Sequence, residues 1–125
     1  MIYNGNKEYK IKFYQNLKSG RSPALEFIES LPNKHQAKVL KYLEFLKQHG
    51  GVLDEPYSRH IQGKIRELRV DFARNNYRIF YFVMINRVIV VLDGFIKKTN
   101  QTPVSQINKA KVYYKGVLMN AKHYA

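Results

Sequence analysis

Apolar and charged residues alternate over residues 8–14, the first regular pattern along the chain. Tyr9, Ile11 and Phe13 fall on one side of an extended chain, and charged residues fall on the other. A period of two is typical of a strand that buries one face. These residues are therefore predicted to form a half-buried β-strand.

Helical spacing then replaces the alternation in two consecutive segments. The first helix is predicted to have Ser22 as its cap and Pro23 at its first position, and to end at Pro32. Its apolar stripe comprises Ala24, Phe27, Ile28 and Leu31. The second helix is predicted to have Asn33 as its cap and to stop at Gly50-Gly51. Its predicted core face comprises Ala37, Leu40, Leu43 and Leu46. The short link between the helices predicts an antiparallel hairpin.

Strand-like runs dominate the rest of the chain after a predicted loop over residues 52–63. The run KIRELRV is followed by DFARNN, which is predicted to turn the chain. Residues 77–85 and 88–96 are predicted to pair as a hairpin through a two-residue turn at Asn86-Arg87. Thr102 and Pro103 then mark the start of a closing helix. The predicted class is α+β, with an N-terminal strand and a helical hairpin packed on an antiparallel sheet of three or four strands, and a C-terminal helix.

Length and composition place the chain among small globular domains. With 125 residues, it is expected to form a single domain over residues 1–125. Cysteine is absent, which excludes disulfides and thiolate zinc sites and fits a cytoplasmic protein. No apolar run approaches the roughly 20 residues that span a bilayer, so no membrane association is expected.

Positive charge is in large excess and unevenly distributed. Twenty-two Lys and Arg against nine Asp and Glu give a net charge of +13. Residues 1–62 carry ten basic and six acidic groups (+4), and residues 63–125 carry twelve and three (+9). Such an asymmetry indicates a polyanionic partner, usually nucleic acid. The alternative is a basic surface with no dedicated ligand.

Arg78 lies inside the apolar block of the predicted hairpin, where a guanidinium is costly unless an anion meets it. The two-residue turn would place Arg78 opposite Phe95, with Lys97 diagonal to it on the same face. A second register would place Arg69 opposite Arg78. Arg69, Arg78 and Lys97 would then form a cationic cluster that a phosphate could neutralise. In the alternative interpretation, Arg78 pairs with Asp93 or Glu67 and only makes the sheet more rigid.

Other kinds of site have weaker support. The four histidines lack metal-ligand spacing, and only His60, just before the basic strand, is a candidate participant. The basic half holds three carboxylates and no acidic nuclease pattern, and no phosphate-binding glycine loop occurs. We therefore expect neither a metal site nor a cofactor.

Four short motifs follow one another between residues 64 and 110. The stretch IRELRVDFARNNYRIFYFV precedes VIVVLDGFIKKTNQTP and a helix with INKA. The LR at the end of one strand, the YRIFY-like central strand, the GFIKKT strand end and the helix-starting TP together resemble the RelE/ParE toxin superfamily. The resemblance is closest to its phage-derived HigB-like branch, which belongs to type II toxin–antitoxin modules.

The resemblance implies a cytoplasmic toxin that inhibits translation. Such a toxin is an mRNA interferase, an endoribonuclease that enters the ribosomal A site and cuts mRNA there without a metal ion. The ribose 2′-OH of the substrate attacks the adjacent phosphate. The implied partners are mRNA, the ribosome with its 16S rRNA, and a cognate HigA-like helix-turn-helix antitoxin.

The resemblance also assigns roles to individual residues. Arg78 matches the arginine that contacts the scissile phosphate, and Lys97 and Lys98 match a basic strand end that stabilises the transition state or leaving group. Arg69 matches a substrate or ribosomal RNA contact. Lys64 and Arg66 fall on the same basic strand and are further candidates for RNA binding, as is His60.

One departure from the family pattern leaves the general base open. Some relatives have a tyrosine or histidine near the chain end that acts on the 2′-OH or the 5′-oxygen. This chain has Thr99, Asn100 and Gln101 after Lys98, and Tyr113 and Tyr114 lie on the predicted helix. A lysine with a lowered pKa or His60 would have to serve instead.

Two other functions are compatible with parts of the pattern. One is a non-enzymatic inhibitor of DNA gyrase like the ParE branch of the same superfamily, for which the basic strand end is not catalytic. The other is a basic RNA-binding module, which explains the charge but not the order of the motifs.

Overall fold

Five strands form one continuous sheet in the computed structural model, which describes residues 8–125. The strands are β1 (Lys10–Phe13), β2 (Ser58–Gln62), β3 (Ile65–Phe72), β4 (Asn75–Val83) and β5 (Val88–Ile96), in the spatial order β1-β5-β4-β3-β2. Neighbouring strands from β2 to β5 are antiparallel, which confirms the prediction for β3, β4 and β5, but β1 pairs with β5 in parallel. The sheet is therefore mixed rather than wholly antiparallel, because the chain passes through two helices before it returns to the sheet.

The helices are α1 (Pro23–Glu29), α2 (Asn33–Gln48) and α3 (Val104–Met119), followed by a 3-10 helix at Ala121–Tyr124. Their order relative to the strands confirms the α+β class. The predicted cap of α2 is wrong by one residue, since Pro32 is the N-cap and Asn33 is the first helical residue. Ser22 does precede α1, but its hydroxyl makes no capping hydrogen bond.

The buried face of α2 differs from the predicted one. Val39, Leu43 and Leu46 are buried, whereas Leu40 is 46% exposed and Ala37 is exposed. Both sets have helical spacing, so the sequence alone does not distinguish them. The β-branched Val39, not Leu40, continues the stripe of Leu43 and Leu46.

Strand β2 lies within residues 52–63, which were predicted to be a loop. It is the strand that the prediction lacked, and it raises the number of strands in the sheet to five. It occupies one edge and pairs only with β3, through Ser58↔Leu68, Arg59↔Glu67 and His60↔Arg66. A turn at Gly63-Lys64 joins the two strands. The charged and short character of β2 is typical of an edge strand.

The β4–β5 hairpin contains the predicted pair Arg78↔Phe95, but its loop and the register next to that loop differ from the prediction. Its loop has three residues rather than two, because Met84 N–H donates to Val88 O at 2.8 Å and Arg87 has φ +64°. This loop shifts the register by one residue, so that Val83 pairs with Ile89. Leu92 then forms a bulge between the Tyr81↔Val91 and Phe80↔Asp93 pairs, and the bulge restores the predicted pair Arg78↔Phe95.

Two hydrophobic clusters cover the two faces of the sheet. Helices α1 and α2 pack on one face, against residues that include Leu68, Ile79 and Val91. Helix α3 packs on the other through Ala110 and Val117, against a set that includes Phe80, Phe82, Leu92 and Phe95. Both faces of the sheet are therefore covered by helices.

The last turn of the chain is part of the α3-side cluster. Tyr124 is 1% exposed, and its hydroxyl accepts the backbone N–H of Gln15 at 3.0 Å. His123 Nε2 contacts the Gln15 side-chain oxygen at 3.2 Å. Hydrogen bonds to Gln15 thus hold the 3-10 helix against the segment that follows β1.

Candidate functional site

Strands β3 and β4 bring two arginines directly opposite each other. Arg69 pairs with Arg78, which confirms the predicted register. Lys97 follows the end of β5, and its backbone N–H donates to Asn76 O at 2.8 Å beside the start of β4. Arg69, Arg78 and Lys97 therefore share one face of the sheet, as the predicted registers required.

Arg78 is almost fully buried, yet its guanidinium is only partly satisfied. Its exposed fraction is 2%, and its Nη1 donates to Asp71 Oδ1 at 2.8 Å and to Tyr77 O at 2.9 Å. The side chain of Asp71 is 62% exposed. The alternative interpretation is wrong about the partner, because neither Asp93 nor Glu67 pairs with Arg78.

Asp93 is buried, and its carboxylate makes a local backbone hydrogen bond instead of pairing with Arg78. Its carboxylate accepts the Gly94 N–H at 2.9 Å. Burial raises the pKa of Asp93, while that hydrogen bond and nearby Lys109 oppose the rise. This carboxylate therefore faces α3 rather than the two arginines.

A third arginine, Arg59, joins the site from β2 and was missed in the sequence. Arg59 pairs across the strands with Glu67, and its Nε lies 3.3 Å from Glu67 Oε1. Glu67 is fully buried, and its other oxygen accepts a hydrogen bond from Thr102 Oγ1 at 3.0 Å. The Gly63-Lys64 turn could have indicated a β2–β3 hairpin, but the turn alone would place Arg59 opposite Leu68. The register shift between His60 and Gln62 brings Arg59 opposite Glu67 instead.

We call Arg59, Arg69, Arg78 and Lys97 the cationic cluster. The Nε atoms of its three arginines are buried and have no hydrogen-bond partner among residues 8–125. Four cations stand against two carboxylates, Glu67 and Asp71, which leaves a formal excess of two positive charges. Buried N–H donors without partners are costly, and a bound oxyanion would satisfy them.

Lys97 has an unusual electrostatic environment within the cluster. Burial lowers the pKa of its ammonium, and the positive charges of Arg78, Arg59 and Arg69 lower it further. Glu67 acts in the opposite direction and raises the Lys97 pKa. Lys97 therefore loses its proton more readily than an exposed lysine does, which suits a group that accepts protons.

The remaining candidates lie outside the cluster. Lys98 is exposed next to Lys97, and Lys64 is exposed in the β2–β3 turn. Arg66 faces the opposite side of the sheet, where it donates to Tyr81 Oη at 3.3 Å and Ser58 Oγ at 3.2 Å. His60 is exposed on the same side as Arg66, and its Nε2 contacts Gly63 O at 2.7 Å.

The residues near the chain end pack rather than line the cluster. The ring of Tyr113 stacks on Tyr14 at a centroid distance of 4.7 Å, and Tyr114 meets Phe82 edge to face at 4.7 Å. Thr99 uses its hydroxyl to contact Gln101 O at 2.7 Å. None of these contacts points to a second proton-transfer group.

Metal-binding and membrane-spanning features are absent from the part of the chain that the structure describes. No three His, Cys, Asp or Glu side chains within residues 8–125 are grouped so that they could hold a metal ion. No helix in the same range has the length and apolar character needed to cross a bilayer.

Comparison with solved structures gives a distant likeness. The chain is similar to one chain of the archaeal RelE–RelB complex from Pyrococcus horikoshii OT3, with 21% sequence identity and a TM-score of 0.48. The matched region covers 71% of this chain and 94% of that chain. No curated protein matches.

A family model matches the chain over residues 26–115 and bears the description "Phage derived protein Gp49-like (DUF891)". The matched segment runs from α1 into α3 and contains all four residues of the cationic cluster. It confirms the phage-derived relationship that the motifs implied. On this evidence the chain belongs to the phage-derived Gp49-like family.

Proposed function

We propose that this protein is the toxin of a type II toxin–antitoxin module and cuts mRNA in the ribosomal A site. The observation that carries the proposal is the cationic cluster, in which three buried arginine Nε atoms make no hydrogen bond within residues 8–125, and only that of Arg59 has a carboxylate nearby, Glu67 Oε1 at 3.3 Å. A phosphodiester of RNA has the charge and the oxygen geometry that arginine forks recognise. The order of the sequence motifs supports the same conclusion.

Arg78 and Arg69 would bind the scissile phosphate. Their alignment across β3 and β4 lets both guanidiniums approach one phosphate, and their positive charge would stabilise the extra negative charge of the transition state. The ribose 2′-oxygen forms a bond to phosphorus while the bond from phosphorus to the 5′-oxygen breaks. The products are a 2′,3′-cyclic phosphate and a 5′-hydroxyl, and no metal is required.

Lys97 is the general base in this proposal. Its neutral amine accepts the 2′-OH proton, and the leaving 5′-oxygen takes a proton from water. Lys97 is favoured over His60 because it stands beside Arg78, whereas His60 is exposed on the other side of the sheet. The lowered pKa of Lys97 increases its neutral fraction near neutral pH.

Lys98, Lys64 and Arg66 would serve RNA binding rather than chemistry. Lys98 and Lys64 are exposed and can contact RNA backbone or 16S rRNA outside the cluster. The net charge of +13 fits the ribosome as a polyanionic surface. The partner that restrains the toxin would be a helix-turn-helix antitoxin of the HigA type, as the motif resemblance implies.

The deciding experiment is translation of a defined message with purified protein, followed by primer extension. Wild type should produce ribosome-dependent breaks, and Arg78→Ala should lower the cleavage rate by about 10²–10³-fold, the usual loss for one electrostatic stabiliser. Arg78→Lys should restore little, because lysine lacks the planar fork. Lys18→Gln removes one exposed charge outside the cluster and is the matched control.

Three results would contradict the proposal. An intact message with wild-type protein would exclude the nuclease, and arrested DNA supercoiling in a gyrase assay would then indicate the ParE-like inhibitor. RNA binding without cleavage or growth arrest would indicate a plain binding module. If Arg78→Ala protein cuts at the wild-type rate, Arg78 does not bind the scissile phosphate.

A further inference from the structure

We propose that Thr102 and Glu67 are positioning residues that orient Arg59 to bind an RNA phosphate next to the scissile one. The choice of RNA as the ligand rests on the function proposed above, but the contacts that hold Arg59 do not. Thr102 was predicted to mark the start of α3, and the proposed chemistry gives its side chain no role. The structure gives that side chain a partner in the middle of the cationic cluster.

The hydroxyl of Thr102 does not cap α3. The N-cap of this helix is Pro103, and no side chain makes a capping hydrogen bond there. Thr102 Oγ1 instead donates to Glu67 Oε2 at 3.0 Å, which joins residues 35 positions apart. Thr102 therefore connects the segment before α3 with strand β3.

Glu67 is a buried carboxylate with a contact at each oxygen. It is fully buried, it pairs across the strands with Arg59, and its Oε1 lies 3.3 Å from Arg59 Nε. The hydrogen bond from Thr102 occupies its other oxygen. Because a buried charge without partners is costly, the carboxylate is expected to keep both contacts and hence one orientation.

Arg59 is anchored through one atom of its guanidinium and is otherwise partly exposed. Its Nε is buried against Glu67, whereas the side chain as a whole is 38% exposed. Its Nη groups hydrogen-bond to no residue of the range 8–125. An arginine anchored through Nε can offer both Nη groups to an oxyanion at little further entropic cost, because its orientation is already set.

The place of Arg59 in the sheet predicts which phosphate it binds. Arg59 pairs with Glu67, and Arg69 follows Glu67 by two residues on the same face of β3. Arg59 and Arg69 are therefore diagonal neighbours, with Cα atoms about 7–8 Å apart by the usual spacing of antiparallel strands. Arg78 lies one strand farther away. Arg59 would thus contact a phosphate beside the one that Arg69 and Arg78 bind.

The test is the affinity for an uncleavable 2′-O-methyl oligoribonucleotide, measured by fluorescence anisotropy. Arg59→Gln should weaken binding by about tenfold, the usual effect of one charged hydrogen bond, and reduce the number of neutralised phosphates by about one. Thr102→Val removes the hydroxyl without changing the charge of the site. It should weaken binding by about two- to tenfold, because Glu67 no longer holds Arg59 in one orientation.

A double-mutant cycle separates positioning from support of α3. No hydrogen bond joins Thr102 to Arg59, so a coupling between them would pass through Glu67. If Thr102 acts through Arg59, Thr102→Val should not weaken binding further in the Arg59→Gln background. If Thr102 only supports the helix, the two fold-losses of affinity should multiply. Thr102→Ser keeps the hydroxyl and should bind RNA as wild type does.

Thr99→Val is the matched control, because the Thr99 hydroxyl contacts Gln101 O in the same segment rather than the cluster. It should leave the affinity for RNA unchanged. Circular dichroism should verify the fold of every variant. Thr102 is only partly buried, and valine has nearly the shape of threonine, so Thr102→Val is expected to fold.

Cleavage assays add a readout that a purely structural role would not give. Arg59 would bind the substrate and the transition state alike, so Arg59→Gln and Thr102→Val should raise KM more than they lower kcat. Coupled losses of affinity in these two variants support the inference. Multiplied losses, or an unchanged affinity in either single variant, would overturn it. Coupled losses in a protein that cuts no message would overturn the proposed function and leave the Arg59 site standing.

Discussion

Arg78 shows how a single residue can be buried without being fully compensated. Its carboxylate partner, Asp71, is mostly in water, and a pair with one exposed member contributes little to stability. The desolvation of the guanidinium is therefore only partly offset in the free protein. This arrangement favours a ligand that brings further negative charge to the Arg78 guanidinium.

At the same scale, Lys97 and Lys98 are expected to behave differently. As pH rises through the lowered pKa of Lys97, the neutral amine accumulates, so the cleavage rate should rise and then level off. Lys97→Ala should lower the cleavage rate by about 10²–10⁴-fold and abolish this rise of the rate with pH, as is typical for loss of a general base. Lys97→Arg should not recover it, because a guanidinium stays protonated.

Lys98→Ala is the comparison for this prediction. It removes the neighbouring exposed charge and should keep the pH dependence while weakening RNA binding. Single-turnover cleavage of ribosome-bound message, followed from neutral pH into the basic range, measures both variants. If Lys98→Ala abolishes the rise of the cleavage rate with pH and Lys97→Ala does not, Lys98 rather than Lys97 is the general base.

At the scale of elements, the packing of α1 on β5 depends on a glycine. A Cβ at Gly94 would lie 2.4 Å from Phe27 Cδ2 and 3.1 Å from Ile79 Cδ1. Gly94 is next to Phe95, the cross-strand partner of Arg78. The close approach of α1 therefore supports the strand that carries the site.

Gly94→Ala is expected to destabilise the protein by about 1–3 kcal/mol, the usual cost of overpacking a core. The added methyl group has to displace the Phe27 ring, which packs edge to face on Tyr77 at 6.1 Å. Urea unfolding monitored by circular dichroism measures the change. The double variant Gly94→Ala/Phe27→Leu should recover part of the loss, and strictly additive effects would show that Phe27 is not the obstacle.

Sequence patterns predicted elements more reliably than the irregularities between them. The period-two and helical patterns located α1, α2, β3, β4 and β5, and residue spacing placed Arg69 opposite Arg78. Strand β2 was missed because SRHIQ is short, polar and at the sheet edge, where burial imposes little pattern. The Leu92 bulge was missed because its effect on register cancels that of the three-residue loop.

The candidate site was predictable to the same extent as the strands that carry it. Arg69 and Arg78 lie within β3 and β4, and Lys97 follows the end of β5; the registers of these strands followed from local patterns. Arg59 depends on β2, so it was lost together with that strand. The Asp71 partner of Arg78 was missed because Asp71 was predicted to lie in the turn DFARNN. Strand β3 continues to Phe72, and Asp71 therefore lies diagonal to Arg78 across β3 and β4.

For the whole molecule, the net charge is expected to govern the first encounter with a polyanionic partner. The net charge of +13 exceeds what the four cations of the cluster contribute, so most of the excess is spread over the rest of the molecule. Long-range attraction of this kind accelerates encounter with a polyanion, and salt screens it. The cluster would then select a phosphate after the initial encounter.

Association with ribosomes or single-stranded RNA should weaken steeply as salt increases. If the protein neutralises Z phosphates, the logarithm of affinity should fall with the logarithm of salt at a slope of about −0.7Z for a single strand. Fluorescence anisotropy with a 2′-O-methyl oligoribonucleotide, which cannot be cut, measures this slope. Lys98→Ala and Arg59→Gln should each make this slope less steep. An affinity of the wild-type protein that does not change with salt would exclude mainly electrostatic binding.

The burial of Tyr124 against the segment after β1 bears on how the chain folds during synthesis. The contact between Tyr124 and Gln15 joins positions separated by 109 residues, so the α3-side core closes only after Tyr124 has left the ribosomal tunnel. Strands and helices made earlier can form, but the layer that supports Phe80 and Phe95 stays incomplete until then. A nascent chain without Tyr124 would therefore carry an unfinished site, and cleavage competence would arise only once Tyr124 has emerged and packed.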